Sequence, residues 1–163
     1  MKWNLQALFT GEAVHLPLRD ELDLSDFEFQ GQQPLKTPVL VEGAVHAAGG
    51  IVILRVTVTY KFHGHCDRCL APFERDGRFD AEHILVTSTE EESDDLVVLD
   101  HYMLDLDDLI QADLWMDLPT KSLCRNDCRG LCPHCGKDLN EGLCGCSEKQ
   151  VDPRLEALRQ WID

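Results

Sequence analysis

Eight cysteines at short, regular spacings constrain this chain more than any other feature of its sequence. Zinc favours four thiolates in a tetrahedron, and two cysteines separated by two residues can wrap a turn around one ion. The N-terminus lacks the apolar centre of a signal peptide, so we expect reduced thiols that bind metal rather than disulfides. The cysteines are Cys66, Cys69, Cys124, Cys128, Cys132, Cys135, Cys144 and Cys146.

The clearest metal site is predicted at the end of this series. In Cys132-Pro133-His134-Cys135-Gly136, the proline presets the turn and the glycine can adopt the left-handed conformation that closes it. Cys144-Gly145-Cys146 forms a second clamp, and residues 136–143 are long enough to return the chain. The ligands predicted for this first site are Cys132, Cys135, Cys144 and Cys146.

The remaining cysteines predict a second site that ties the middle of the chain to its C-terminal third. Cys124 and Cys128 are spaced one helical turn apart, so both can face one ion. This assignment rests on subtraction, and His65 or His134 could replace a cysteine. All-cysteine zinc sites are closed, so we expect Zn²⁺ to stabilise the fold rather than to catalyse a reaction. The ligands predicted for this second site are Cys66, Cys69, Cys124 and Cys128.

Thiol redox chemistry is an alternative for Cys66-Asp67-Arg68-Cys69. The arginine could favour a thiolate. A thioredoxin-like motif, however, begins a helix in a βαβ setting, whereas this one follows a strand pattern and precedes Pro72. The context therefore favours metal binding.

Alternating apolar residues before the cysteines predict antiparallel strands. Residues 39–47 alternate, Gly49-Gly50 supplies a turn, and the even-numbered residues of 52–62 form one apolar face. A third strand is predicted within residues 73–85, with a possible kink at Gly77. These patterns predict a β-hairpin followed by a third strand.

Helical periodicity is confined to short segments. Residues 105–118 predict a helix that Asp105 can cap, and residues 152–162 predict a closing helix. Residues 96–99 can form a short strand, and the first residues, around Trp3 to Phe9, could form a short helix or an edge strand. The predicted fold class is α+β: an antiparallel sheet or partial β-barrel, short helices and a C-terminal cysteine-rich zinc module.

Composition divides the chain at residue 120. We predict a β-rich domain with an acidic loop and a helix over residues 1–120, and a cysteine-rich module with a closing helix over residues 121–163. The net charge of −15 belongs to the first part, because the second holds equal numbers of acidic and basic residues. No apolar run approaches the roughly 20 residues that a membrane helix needs, so we expect a cytoplasmic protein.

Acidic charge is concentrated between Arg78 and Lys121, where thirteen Asp and Glu residues occur without a single Lys or Arg. Such a surface repels phosphate and attracts basic partners. The alternative interpretation is that this charge serves solubility alone. The predicted partner-binding residues are Glu90, Glu91, Glu92, Asp94 and Asp95.

Taken in order, these motifs resemble the YceD-like family, a domain of unknown function found in bacteria and plastids. The resemblance rests on the hairpin leading into Cys66-x2-Cys69-Leu70, on the string from Cys124 to Asn140, and on Cys144-x-Cys146 followed by Asp152-Pro153-Arg154-Leu155. It covers most of residues 39–163. It implies a role in the accumulation of large-subunit ribosomal RNA, through its synthesis, processing or stability, and implies no enzymatic activity.

Three functions follow for testing. The resemblance favours a non-enzymatic factor for large-subunit rRNA accumulation, processing or ribosome assembly. The acidic surface predicts that its partner is a basic ribosomal protein or an rRNA maturation factor. A zinc-stabilised protein that contacts rRNA directly is the second. An enzyme is disfavoured, since the sequence has no glycine-rich phosphate loop, HExxH motif or nucleophile elbow. Candidate phosphate contacts are Arg125, Arg129, Lys137, Lys149, Arg154 and Arg159.

Overall fold

The computed structural model of the chain describes residues 1–88 and 96–146. Five strands form one sheet in the order β2-β3-β4-β5-β6, and β1 and β7 pair in a small second sheet. All neighbours are antiparallel except β5 and β6. The α+β class is confirmed, with an open five-stranded sheet. The elements are β1 (Lys2–Asn4), α1 (Gln6–Phe9), β2 (His15–Leu22), β3 (Val39–Ala48), β4 (Ile51–His65), β5 (Pro72–Val86), β6 (Leu96–Val98), β7 (Met103–Asp105) and α2 (Leu106–Asp117).

The predicted hairpin is confirmed. Ala48 pairs with Ile51, and Gly49 and Gly50 have φ values of 60° and 83°. Both values lie in the left-handed region that a two-residue hairpin turn requires. The even-numbered residues of β4 from Val52 to Phe62 are all buried, as the apolar alternation predicted.

The third strand is also confirmed, and its pairing with β4 continues without a break through Gly77. The glycine lies opposite Tyr60, and a Cβ at this position would lie 2.2 Å from the Cζ atom of that ring. The missing side chain therefore makes room for the Tyr60 ring at the end of the core.

Helix α2 covers the buried face of the sheet. It occupies the predicted segment and buries Leu106, Ile110 and Leu114. Asp105 takes the N-cap position, but its side chain makes no capping hydrogen bond. The Tyr60 hydroxyl donates to Asp117 Oδ2 at 2.6 Å, which fastens the end of the helix to β4. Burial, together with this carboxylate, raises the pKa of Tyr60 well above its usual value.

The N-terminal region holds the elements that the sequence left ambiguous or missed. Strand β1 and helix α1 share the segment that was expected to be either a helix or an edge strand. Strand β2 was not predicted, because Asp20 interrupts its apolar face and Pro17, on the exposed face, is uncommon within strands. The closing helix predicted at 152–162 lies outside the described residues. None of the described helices is long and apolar enough to span a membrane.

Gly77→Ala tests the close packing at the end of the core. We expect the free energy of unfolding, measured with urea, to fall by about 1–3 kcal/mol because the new methyl group overlaps the Tyr60 ring. In a Tyr60→Ala background, the same change should cost clearly less than in the wild type. An equal cost in both backgrounds would show that the ring does not set the requirement for glycine.

Candidate metal centre

The fold brings the eight cysteines together as two groups of four. In each group, all the sulfur atoms lie within 4.8 Å of one another. These groups have the same members that the sequence predicted for the two sites, and no described histidine belongs to either group. The first group is Cys132, Cys135, Cys144 and Cys146, and the second is Cys66, Cys69, Cys124 and Cys128.

The sulfur spacing fits a tetrahedral metal ion. With zinc–sulfur bonds of about 2.3 Å, the edge of a regular tetrahedron of sulfurs is about 3.8 Å. In the second group, the Cys66–Cys128 and Cys69–Cys124 sulfur pairs are each 3.7 Å apart. In the first group, the Cys132–Cys144 sulfurs are 3.4 Å apart. All eight thiols are free, and these separations far exceed the roughly 2.05 Å of a disulfide.

The two Cys-x2-Cys turns have the same backbone geometry. The N–H of Leu70 donates to the Cys66 carbonyl at 2.8 Å, and the N–H of Gly136 donates to the Cys132 carbonyl at 2.9 Å. The N–H of each first cysteine also donates to the carbonyl five residues on, at 2.9 Å and 2.8 Å respectively. Leu70 and Gly136 both have positive φ, 60° and 72°. Each turn therefore holds its two sulfurs on one side, as a shared ion requires.

The second group joins the sheet to the C-terminal segment. Cys66 and Cys69 lie in the turn between β4 and β5, while Cys124 and Cys128 come from beyond α2. Three of the four are buried in a small apolar cluster separate from the main core. Four sulfurs, three of them from buried cysteines, therefore occupy the contact between two parts of the chain that are distant in sequence.

Polar contacts around the second group were not predicted. The N–H of Asp67 donates to the Ser122 carbonyl at 2.8 Å, and the N–H of Ser122 donates to Asp67 Oδ2 at 2.6 Å. Arg68 Nη1 donates to the Cys128 carbonyl at 2.7 Å. Asp67 and Arg68, the two residues between Cys66 and Cys69, thus hold the segment that carries Cys124 and Cys128 in place. Their only signal in the sequence was their position inside the motif.

Asn140 links the surroundings of the two groups. Its side chain donates to the Cys128 sulfur at 3.5 Å, and its Oδ1 accepts from the N–H of Arg129 at 2.8 Å. Asn140 follows the Cys132–Cys135 turn of the first group in sequence, but it contacts a ligand of the second group. Hydrogen bonds to ligand atoms orient metal ligands and stabilise the charge on them. The sequence placed Asn140 in the family motif without indicating this contact.

The thiols of each group ionise unevenly. Backbone N–H groups of Cys135 and His134 lower the pKa of Cys132 to about 6. Burial raises the pKa of Cys66, but the surrounding backbone N–H groups outweigh it and bring the pKa to about 6. Burial and the neighbouring sulfurs raise the pKa of Cys124 to about 12. The thiol that ionises first in each group thus repels further negative charge and makes its neighbours harder to ionise. A bound cation would remove this repulsion.

The same geometry bears on thiol redox chemistry. Cys66 is fully buried and Cys69 is 8% exposed, and the motif lies in a turn between strands rather than at the start of a helix. Each sulfur has other cysteine sulfurs as neighbours. Such burial leaves little access for a substrate disulfide, so the arrangement supports a metal site over a redox site.

The residues predicted to contact a partner protein or phosphate lie partly outside the described residues. Glu90, Glu91, Glu92, Asp94 and Asp95 lie outside the described residues, as do Lys149, Arg154 and Arg159. Arg125 Nη2 donates to Asn140 Oδ1 at 2.8 Å, and Lys137 Nζ donates to the Leu143 carbonyl at 3.1 Å. These two cations therefore already have partners within the protein.

Single substitutions separate the two groups. Purified reduced protein should contain two zinc ions, and Cys128→Ser and Cys132→Ser should each lose one of them, measured by elemental analysis and native mass spectrometry. His134→Ala, a non-ligand change inside the same knuckle, should retain both ions. A reduced, metal-free wild type that melts like the metal-loaded protein would refute the assignment.

Zinc binding should release protons. In the metal-free protein at pH 7, Cys69, Cys124 and Cys146 have raised pKa values and are protonated, so binding two ions releases at least three protons. The depressed pKa of Cys66 and Cys132, about 6, means that these thiolates protonate only as the pH falls through that value. Zinc affinity should therefore rise with pH near neutrality and fall most steeply in acid. Calorimetry in buffers of different ionisation enthalpy measures the proton count, and a pH-independent affinity would contradict it.

Comparisons with known proteins identify the family of this chain. A family model described as "Large ribosomal RNA subunit accumulation protein YceD" matches residues 54–160, a range that includes all eight cysteines. Uncharacterized proteins of Mycobacterium tuberculosis strain H37Rv and of Mycobacterium bovis are each 31% identical over 159 residues, which cover 93% of this chain and 72% of theirs. No solved structure matches the chain. The chain, with one cysteine motif between two strands and the others beyond α2, belongs to the YceD family of large ribosomal RNA subunit accumulation proteins.

Proposed function

We propose that the protein is a non-enzymatic factor that supports accumulation of large-subunit ribosomal RNA, through rRNA processing or ribosome assembly. The family match over residues 54–160 carries this proposal. The proposed site of action is the cytoplasm, where reducing conditions keep thiols available for metal.

The proposed metal is zinc, and its role is structural. Two clusters of four sulfurs offer closed coordination, with no place for a water molecule or substrate on the ion. Cys66, Cys128 and Cys132 are all buried, which suits a stabilising ion. The residues after α2 form no further helix or strand within the part of the chain that the structure describes, so they have little regular packing to hold them. Metal binding can supply the missing stability.

The proposed partner is a basic ribosomal protein or rRNA maturation factor. Between Asp80 and Asp117 the described residues carry eight carboxylates and no Lys or Arg. Zinc does not reverse this charge, since an ion with four thiolates carries a formal charge of −2. Long-range repulsion therefore opposes phosphate and favours a cationic surface. The five acidic residues Glu90, Glu91, Glu92, Asp94 and Asp95 remain predicted contacts.

Direct rRNA binding is the second candidate and has weaker support. The basic side chains available to it near the clusters include Arg125, which contacts Asn140 and also lies 3.4 Å from Asp127. Phosphate contacts would have to compete with these internal partners.

The division of the chain into two domains at residue 120 stays a prediction. It would place Cys66 and Cys69 of the second group in the first domain, and Cys124 and Cys128 in the second.

Deletion and complementation test the proposal. Loss of the gene should lower the ratio of large-subunit to small-subunit rRNA, and wild-type protein should restore it. Cys128→Ser should restore it poorly if zinc stabilises the active fold, while His134→Ala serves as the matched control. An unchanged rRNA ratio in the deletion strain would refute the proposed function.

The acidic segment is tested in the same strain. Changing Glu90, Glu91, Glu92, Asp94 and Asp95 to their amides should weaken association with a basic partner, because it removes five negative charges while leaving the apolar core untouched. Quantitative affinity capture with and without nuclease measures this loss. If every protein partner is retained at wild-type strength, the segment is not a contact surface.

A further inference from the structure

Among the residues that the structure describes, none pairs with the outer edge of β5 over most of its length. Strand β4 pairs with β5 from Pro72 to Leu85, whereas β6 covers its other side only from Ile84 to Val86. Within residues 1–88 and 96–146, no backbone hydrogen bond reaches the outer edge between Phe73 and Glu82. Alternate N–H and C=O groups along this stretch therefore point away from the sheet, in the arrangement that accepts an additional strand.

The opposite edge of the sheet is built differently. Strand β2 carries Pro17 near its middle, and proline lacks the N–H that a further strand would need. No proline occurs in β5 after Pro72, its first residue. The β2 edge of the sheet therefore lacks one N–H group that an added strand would need, whereas the β5 edge keeps all of its N–H groups after Pro72.

A groove lies beneath the open edge. On β4, the core-facing Val56 and Val58 are buried, but on β5 the core-facing Phe79 and Ala81 are only half-buried. The wall opposite is α2, whose Met116 is 87% exposed. A strand added to β5 would cover this apolar surface with every second side chain.

Carboxylates flank the groove on both sides. On the outer face of the sheet, Asp80 and Glu82 line it, and on the helix Asp113 and Asp117 do so. Several have internal partners: Asp80 accepts from Thr57, Glu82 pairs with Arg55, Asp113 contacts His83 and Asp117 contacts Tyr60. No Lys or Arg lies on α2, so the groove is acidic on the helix side.

We propose that β5 docks an extended basic segment of a partner protein as an added strand between Phe73 and Glu82. The segment would alternate apolar residues, which face Met116 and Ala81, with Lys or Arg, which face Asp80 on the outer surface. Backbone hydrogen bonds supply affinity in this mode, and the alternating side chains supply specificity. This inference rests on the proposed basic partner and specifies how that partner binds. A second copy of the chain fits less well, since edge-to-edge pairing would bring two acidic grooves together.

The test uses the whole zinc-loaded protein and a synthetic probe. The probe is a blocked peptide of alternating valine and lysine, about six to eight residues long, the length of an ordinary strand. We expect saturable binding, and amide hydrogen exchange measured by NMR should slow about tenfold or more at alternate residues from Phe73 to Glu82. The same peptide with N-methylated valines keeps its charge but cannot complete the ladder, so it should bind much more weakly.

Two variants locate the peptide on the surface. Met116→Arg and Asp80→Lys should each weaken binding about tenfold, since they place positive charge beside a cationic guest. Val14→Arg and Glu21→Lys make the same chemical changes at exposed residues elsewhere, with Glu21 on the β2 edge, and should leave binding unchanged. Met116 is so exposed that its replacement should not affect folding, and unfolding in urea checks this for every variant.

Four outcomes would overturn the inference. They are equal binding of the N-methylated peptide, protection of the β5 edge in the free monomeric protein, dimerisation through this edge detected by sedimentation, and protection of the same amides by a single-stranded RNA oligomer but not by the peptide. The proposed function is tested separately. If deletion still lowers the rRNA ratio while the peptide fails to bind, the docking inference is wrong and the proposed function stands.

Discussion

The contact between the sulfurs of Cys66, Cys69, Cys124 and Cys128 connects the two halves of this structure. The sheet has an apolar core of its own, covered by α2, whereas the described residues beyond the helix, up to Cys146, add few apolar side chains to a core. That segment meets the β4–β5 turn at four sulfurs and at a few hydrogen bonds around Asp67, Arg68 and Ser122. Four thiols this close together repel one another once they ionise. A cation bound at their centre would remove this repulsion and link the two segments.

The two knuckles show how similar local sequences can serve different long-range roles. Their turns share hydrogen bonds and a positive φ after the second cysteine, so both present two sulfurs in the same way. The knuckle at Cys132 closes on cysteines only a few residues away and organises a local loop. The knuckle at Cys66 closes on cysteines that follow α2, and so fixes the position of a whole segment against the sheet. Asn140, which belongs to the local loop but contacts the Cys128 sulfur, makes the two environments contiguous.

The two edges of the five-stranded sheet differ. One edge strand carries a proline and the other keeps its hydrogen-bonding groups, beside a half-covered apolar surface and an acidic helix. Met116 is exposed in the same groove as the half-buried Phe79 and Ala81. The groove between β5 and α2 combines exposed backbone, apolar area and charge. The net charge of the sequence could not show that four of the carboxylates line this groove.

Periodicity and spacing in the sequence were sufficient to predict the longer elements other than β2. Alternation predicted β3, β4 and β5, helical spacing predicted α2, and Gly49-Gly50 predicted the turn, because each pattern reflects one buried face. Strand β2 could not be predicted from its sequence, because Pro17 and Asp20 disrupt the strand pattern. Its pairing with β3 in the structure identifies it. The division of the cysteines into two groups of four followed from spacing and subtraction. The tertiary structure decided how those groups lie in space: which sulfurs approach to 3.7 Å, which polar side chains hold them, and which edge of the sheet stays open. These features depend on contacts between residues far apart in the chain, and such contacts leave no periodic trace in the sequence.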